Sequence, residues 1–309
     1  MEPVKHVQIK ENMNVNDLVK QMQDSAMGSR RLAEAVDVIE DMLKARKNKG
    51  CKVLFGVAGA MVPGGMRRII AGMLKNGWID VFVTTGANLT HDLFEALGEK
   101  HYKGSANADD KLLNKKGIDR IYDSFLKNES YVKLENFMAV VLEEIDKENR
   151  QMNIKEFLWE IGKRIKDKES ILRICYKKEI PIFCPAIADS GIGLQVWNHL
   201  VKGKKINVSA FTDLKEILDI AWQAKSIGAI IIGGGVPKNY IMQALQFSKA
   251  ARYAVQITTD RPEPGGSSGA ELREAISWGK LDKLSRFIDL RCDATIALPL
   301  IYGAVKDRI

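Results

Sequence analysis

The stretch Ile257-Thr258-Thr259-Asp260-Arg261-Pro262-Glu263-Pro264-Gly265-Gly266-Ser267-Ser268-Gly269-Ala270, running on through Glu271 to Lys280, decides how the rest of the chain is read. It begins as the end of an apolar run, Tyr253 to Ile257, of the kind a buried parallel strand needs. It turns polar at Thr258-Thr259-Asp260, then crosses a loop with two prolines and three glycines. Such a loop bends tightly and lets backbone approach a ligand. Ser267 or Ser268 stands where a cap is expected for a helix from Ala270 to Trp278, with Gly279 ending it. Lys280 comes next. A lysine just past a helix end, beside an indole, has two readings. It is a solvated ammonium favoured by the helix dipole, or it is an amine stripped of water, whose lowered pKa lets it attack an imine or aldehyde.

The same strand-then-polar-turn pattern recurs upstream. Cys51 to Val57 is a strand-like run leading to Ala58-Gly59-Ala60-Met61-Val62-Pro63-Gly64-Gly65 and a helix from Met66 to Asn76. Trp78 to Thr85 ends in Thr84-Thr85-Gly86-Ala87-Asn88, with a helix expected to start near Thr90-His91-Asp92. Ile180 to Ile187 runs into Asp189-Ser190-Gly191. Ala229 to Ile232 breaks at Gly233-Gly234-Gly235, and a helix is expected from Asn239 to Ser248. Near the end, Ile288 to Pro299 includes Asp293-Ala294, before a last helix from Pro299. Strands alternating with helices predict a doubly wound, mostly parallel α/β sheet, a Rossmann-like fold with added helices. Ligands of such sheets bind outside the carboxyl ends of the strands, so one crevice could collect Gly59, Thr85, Asp189, Gly234, Thr259 and Asp293. Some positions have a plainer reading beside a functional one: Gly59 as a tight turn, Asp189 as a helix cap, and His91 as a cap or packing residue. The Gly-x-Gly-x-x-Gly fingerprint is not present.

Between these blocks the chain is helical or irregular. Met1 to Met22 reads as an extended arm followed by one or two helical turns, and residues 1–28 are taken as an arm before a single domain, 29–309. Ser29 to Lys47 has helical apolar spacing. Residues 101–131 are read as a surface excursion with a short helix from Ile118 to Leu126 and no grouping that suggests chemistry. Helices follow at Tyr131 to Asn149, Lys155 to Lys166 and Ile171 to Lys178.

Composition narrows the classes. The 309 residues are 46% hydrophobic, enough for a buried core, with a formal charge of +8. Basic residues are scattered among acids with no basic tail, so no nucleic-acid partner is expected. The four cysteines, Cys51, Cys175, Cys184 and Cys292, form no Cys-x-x-Cys pair, which argues against structural zinc and a disulfide framework. No metal site is expected. The best apolar run, Ile227 to Val236, is too short and glycine-rich to span a bilayer, and a cytoplasmic location is expected.

Ser268-Gly269-Ala270 followed by Glu274-Ala275-Ile276-Ser277-Trp278-Gly279-Lys280 resembles the signature of the deoxyhypusine synthase family. The resemblance extends through Phe55-Gly56, Thr84-Thr85-Gly86, Pro185-Ala186, Asp189 and Gly233-Gly234-Gly235-Val236, roughly residues 30 to 305. It implies an NAD-dependent enzyme that moves the aminobutyl group of spermidine to a lysine of the hypusine-bearing translation factor precursor, with Lys280 forming the imine. It implies cofactor contacts at Gly59, Ala60, Met61, Val62, Pro63, Thr85, Gly86, Ala87, Asp189, Gly234, Thr259, Asp260, Asp293 and Ala294. It implies substrate contacts at His91, Asn239, Ser267, Ser268, Gly269, Glu274 and Trp278, and a homotetramer. Four positions depart from the family pattern. His91, Leu194, Asn239 and Ser267 stand where glutamate, aspartate, histidine and aspartate are usual. This keeps open a different amine donor, or a small-molecule acceptor as in homospermidine-synthase-like enzymes. A non-catalytic NAD-binding regulator is the third reading.

Overall fold

The computed structural model describes residues 2–309, which divide into two compact units. The first comprises residues up to Ala58 together with 77–83 and 214–309; the second comprises 59–76 and 84–213.

The first unit is built on a sheet whose strands run in the order Leu281–Arg291, Ala251–Thr258, Ser226–Ile232, Cys51–Val57 and Val81–Thr84. The pairs Cys51–Val57 with Ser226–Ile232, Ser226–Ile232 with Ala251–Thr258, and Ala251–Thr258 with Leu281–Arg291 are all parallel. Two central strands are apolar almost throughout because both faces are covered. Glycines show the two faces. Gly228, opposite Val53, lies against Met42 of helix Met27–Lys49. Gly56, three residues on and so on the other face, lies against Ile241 and Pro237 of helix Gly235–Gln246. Helices on both faces make the sheet doubly wound, as the sequence pattern predicts. Helix Met27–Lys49 buries Leu32, Val36, Ile39 and Leu43 at helical spacing and ends at Gly50 with φ 68°.

The amino-terminal helix, Val15–Gln23, starts with an Asn14–Asp17 capping box, and Val19 is fully buried. Arg308 ties it down from helix Ala294–Arg308 by donating to Asn16 Oδ1, Asp37 and Glu40. That last helix begins at Ala294 rather than Pro299, because the Asp293 carboxylate caps it by accepting from the Thr295 N–H at 2.7 Å.

The second unit holds helices Arg67–Lys75, Gly86–Ala96, Glu129–Glu148, Ile154–Arg164, Ile171–Lys177 and Gly191–Val201. Two expectations fail here. Residues 118–126 form no helix: Ile118–Ile121 and Ser124–Lys127 pair as an antiparallel hairpin, with Tyr102–Lys103 on its other edge. The two-residue turn puts Tyr122 at φ 56°, and Arg120 clamps the tip by donating to Asp110 and to the Tyr122 carbonyl. The strand expected over residues 180–187 shrinks to Ile182–Phe183.

Candidate functional site

In the first unit a cleft of about 180 Å³ is lined by Lys238, Asn239, Ser267, Glu274, Trp278 and Lys280 among others. Lys280 is positioned by its own backbone. Its N–H donates to the Ala275 carbonyl at 2.9 Å, and its carbonyl accepts from the Ala251 N–H at 3.0 Å. Gly279, at φ 69°, makes the reversal between that turn and the strand beginning at Leu281. The Lys280 ammonium nitrogen lies 4.9 Å from the centroid of the Trp278 ring, a cation–π distance. Trp278 is 56% exposed and Lys280 half-buried, so the chain alone leaves this amine partly open to water. The expected helix Ala270–Trp278 is a single turn, Glu274–Ser277, preceded by Arg273 without a side-chain cap. Neither Ser267 nor Ser268 caps it. Ser268 Oγ instead accepts from the Gly235 N–H at 2.9 Å.

That bond belongs to a buried network that sequence reasoning missed. Gln256, fully buried, donates through Nε2 to the carbonyls of Gly233 and Ser268. This leaves Oε1 to accept from Lys238 Nζ at 2.8 Å, while Lys238 also donates to the Ala270 carbonyl at 2.5 Å. The loop from Arg261 to Gly269 is thereby fixed against the Gly233–Gly235 turn. Gly269 is required for this path, since a Cβ there would lie 1.8 Å from the Arg261 carbonyl oxygen. Gln256 and Lys238 sit in apolar surroundings in the sequence, a strand interior and a helix first turn. A polar residue inside an apolar strand was the available signal.

Of the other positions singled out in this unit, Gly234 is the N-cap of helix Gly235–Gln246, and Thr259 and Asp260 are exposed just past their strand. Asp293 is exposed and Ala294 half-buried at the start of the last helix. Gly235 has φ 52° and nothing within 4 Å of where a side chain would stand, while its N–H is already taken by Ser268 Oγ.

In the second unit, Gly59 is at φ 75° and opens a turn over Ala60–Gly65, whose Val62 N–H points to Asn88 Oδ1 at 3.5 Å; Val62 and Pro63 are buried. Thr85 caps helix Gly86–Ala96, accepting from the Asn88 N–H, so that helix starts a turn earlier than the expected Thr90. Asp189 does not cap the helix Gly191–Val201; Ser190 does, and the Asp189 carboxylate is left exposed. His91 is not near a helix start. Its Nδ1 lies 2.8 Å from His101 Nε2, and His101 Nδ1 lies 2.9 Å from Glu95 Oε1. Burial, and then the neighbouring His101, pull the His91 pKa down to about 4. Burial opposes charge on Glu95, but hydrogen bonds from His101 and Lys100 prevail and hold it at about 2. Residues 101–131, read as chemically silent, therefore supply one partner of this chain.

A family model described as deoxyhypusine synthase matches residues 17–305. The "Probable deoxyhypusine synthase 1" of Methanosarcina mazei is 47% identical over 308 residues, covering 99% of this chain and 95% of that protein. The chain belongs to the deoxyhypusine synthase family. A crystal structure of a deoxyhypusine synthase candidate from Entamoeba histolytica is similar with a TM-score of 0.64 at 21% identity, over 95% of this chain and 93% of that one. The fold is shared more widely: a ternary complex of AgrE with ornithine and NAD+ gives a TM-score of 0.54 at 12% identity, over 92% of this chain and 34% of that one. In this deoxyhypusine synthase family member Lys280, Trp278 and Glu274 line one cleft. Among the described residues no group of histidine, cysteine and carboxylate side chains could hold a metal ion, and no helix is long and apolar enough to cross a membrane.

Proposed function

We propose that this protein carries out the deoxyhypusine synthase reaction, moving the aminobutyl group of spermidine to a lysine of the hypusine-bearing translation factor precursor. The observation that carries the reading is the Lys280 amine, held over Trp278 in a cleft that also contains Glu274. NAD, when bound, supplies the hydride acceptor and returns the hydride, so the transfer has no net redox change. The fit rests on the open space where a Gly235 side chain would stand and on the polar positions that follow the strands. In the first unit Gly234, Thr259, Asp260, Asp293 and Ala294 are the proposed contacts. AgrE, of similar fold, is seen with NAD+, which supports the choice of cofactor.

Lys280 acts as a neutral amine. It attacks the oxidised donor carbon, the new C–N bond forms, and the bond to the rest of the donor breaks as that amine leaves with a proton. The acceptor lysine then displaces Lys280 by the same exchange. Trp278 gives the donor an apolar wall and a π face, and Glu274 holds an ammonium end. Asn239, Ser267, Ser268 and Gly269 complete the substrate side. Borohydride reduction with NAD and spermidine present should leave a covalent adduct on Lys280 by mass spectrometry. The Lys280→Arg variant keeps the charge but should lose the adduct entirely; an adduct in that variant would refute the assignment.

His91 favours a second reading, in which the donor is not spermidine or the acceptor is a small amine. A histidine kept neutral by burial is a poor counter-ion for a cationic amine. With Leu194, Asn239 and Ser267 also uncharged, several charge-assisted hydrogen bonds of about 1.5–3 kcal/mol each are gone. Titration calorimetry with spermidine and NAD separates the two readings: micromolar binding sinks the second. A homotetramer is part of the proposal, in keeping with the exposed apolar residues on helix Gly191–Val201.

A further inference from the structure

A second amine shares the cleft. Lys238 is only 5% exposed, yet it reaches the same cavity as Lys280. Its nitrogen has two fixed acceptors, Gln256 Oε1 and the Ala270 carbonyl. The Gln256 amide cannot turn round to change this, because Nε2 is committed to the Gly233 and Ser268 carbonyls. A neutral amine has two N–H bonds, and both are used. The one remaining direction on the nitrogen carries either the lone pair or a third proton. Such a group can take up or give back one proton without breaking its mooring.

We propose that Lys238 is the proton-exchange partner of Lys280: it takes the proton the Lys280 ammonium sheds before the amine attacks, and returns it when the imine is exchanged. The step is Lys280-NH3+ plus Lys238-NH2 giving Lys280-NH2 plus Lys238-NH3+, by way of water in the cleft that both residues line, with no electron transferred. This rests on the assignment of Lys280 as the attacking amine. Lys238 acts through Lys280 and needs no contact with the donor.

The electrostatics agree with the geometry. Burial is the main cause that pulls the Lys238 pKa down to about 8; Asp289 and Glu274 push it back up, and the charge on Lys280 lowers it further. Asp289 faces it from strand Leu281–Arg291, Glu274 from the single turn before Lys280, and Glu271 lines the same cleft. A group poised near the working pH is the efficient proton carrier, whereas an ordinary surface lysine at roughly 10.4 is not.

The test uses butanal as probe and cyanoborohydride as trap, with butylation of Lys280 measured by mass spectrometry from pH 6 to 10. In the wild-type protein, labelling should rise through about pH 8. In Lys238→Met it should fall by roughly a hundredfold at pH 7.5, the lower end expected for a lost acid–base partner, and recover at pH 10. Lys238→Arg keeps the charge but does not release its proton, so it should behave like the methionine variant. An unchanged pH profile in Lys238→Met, or a wild-type profile in Lys238→Arg, overturns proton exchange and leaves Lys280 as the nucleophile. Absence of Lys280 labelling in the wild type at every pH overturns the Lys280 assignment and this proposal with it. Should the variants not fold, a carbon-13 titration of the Lys238 ε-methylene in the wild-type protein decides. A midpoint near 8 supports the proposal, and one in the ordinary lysine range overturns it.

Discussion

His91 shows how one residue's environment sets a testable property of the whole chain. Its pKa is pulled from 6.5 to about 4 on folding. Below pH 6.5 the unfolded chain therefore binds a proton that the folded chain refuses. This contribution to stability is complete above pH 6.5 and is lost as pH falls toward 4, by about 3 kcal/mol at most. Glu95 works in the same direction at lower pH, its contribution lost as pH falls from 4.5 through about 2. Urea unfolding at pH 7 and pH 5 should show a marked drop for the wild type and a much smaller drop for His91→Asn. Equal drops would mean that His91 titrates normally. At this scale the sequence disclosed some neighbours and hid others. That Lys280, Trp278 and Glu274 lie close together was legible because they are adjacent in a specific run. His101 was not, because its partner lies ten residues away across a turn, and helical or strand periodicity says nothing of such a pairing.

Secondary-structure elements were legible where burial imposes a pattern. Cys51–Val57, buried on both faces, is continuous enough that its limits follow from hydrophobicity alone. Helix Met27–Lys49 announces itself by spacing and by Gly50. The hairpin at Ile118–Lys127 was read as a helix because its strands are short, half-exposed and joined by Tyr122-Asp123, which lacks the glycine that usually marks such a turn. The turn before Lys280 was read too long because side chains, not helical hydrogen bonding, hold this stretch: the Gln256–Lys238 network binds the Ser268 and Ala270 carbonyls, and Asp289 accepts from the Leu272 N–H. Asp92 is the comparable device in the second unit. Fully buried on helix Gly86–Ala96, it accepts from Ser170 Oγ and from the N–H groups of Ile171 and Leu172, and so caps helix Ile171–Lys177. It also pairs with Arg67 at 2.7 Å. Asp92→Ala would leave Arg67 and two helix N–H groups without this partner. It should destabilise the protein by about 3–5 kcal/mol in urea unfolding, the range for breaking a buried ion pair. A loss below about 1 kcal/mol would show that water replaces the carboxylate without cost.

For the molecule as a whole, the strand–turn–helix rhythm is enough to read the α/β class, but assembly is not written in any rhythm. What bears on it is surface that a lone chain leaves wet. On helix Gly191–Val201, Leu194, Trp197 and Val201 follow the i, i+3, i+7 spacing of one face and are 57%, 61% and 65% exposed. Residues of this size on one stripe are expensive to leave in water and commonly mark a contact with another protein. The proposed occupant is a second copy of the chain, and the mass in solution decides it. Light scattering should give a multiple of the 34.5 kDa chain mass. Trp197→Glu should shift the population toward smaller species while the circular dichroism stays unchanged, because the side chain is outside the core. A wild-type mass equal to one chain at micromolar concentration would refute the assembly. The Lys280 chemistry could then be tested in the monomer, where its half-buried amine would have to react without cover from a neighbour.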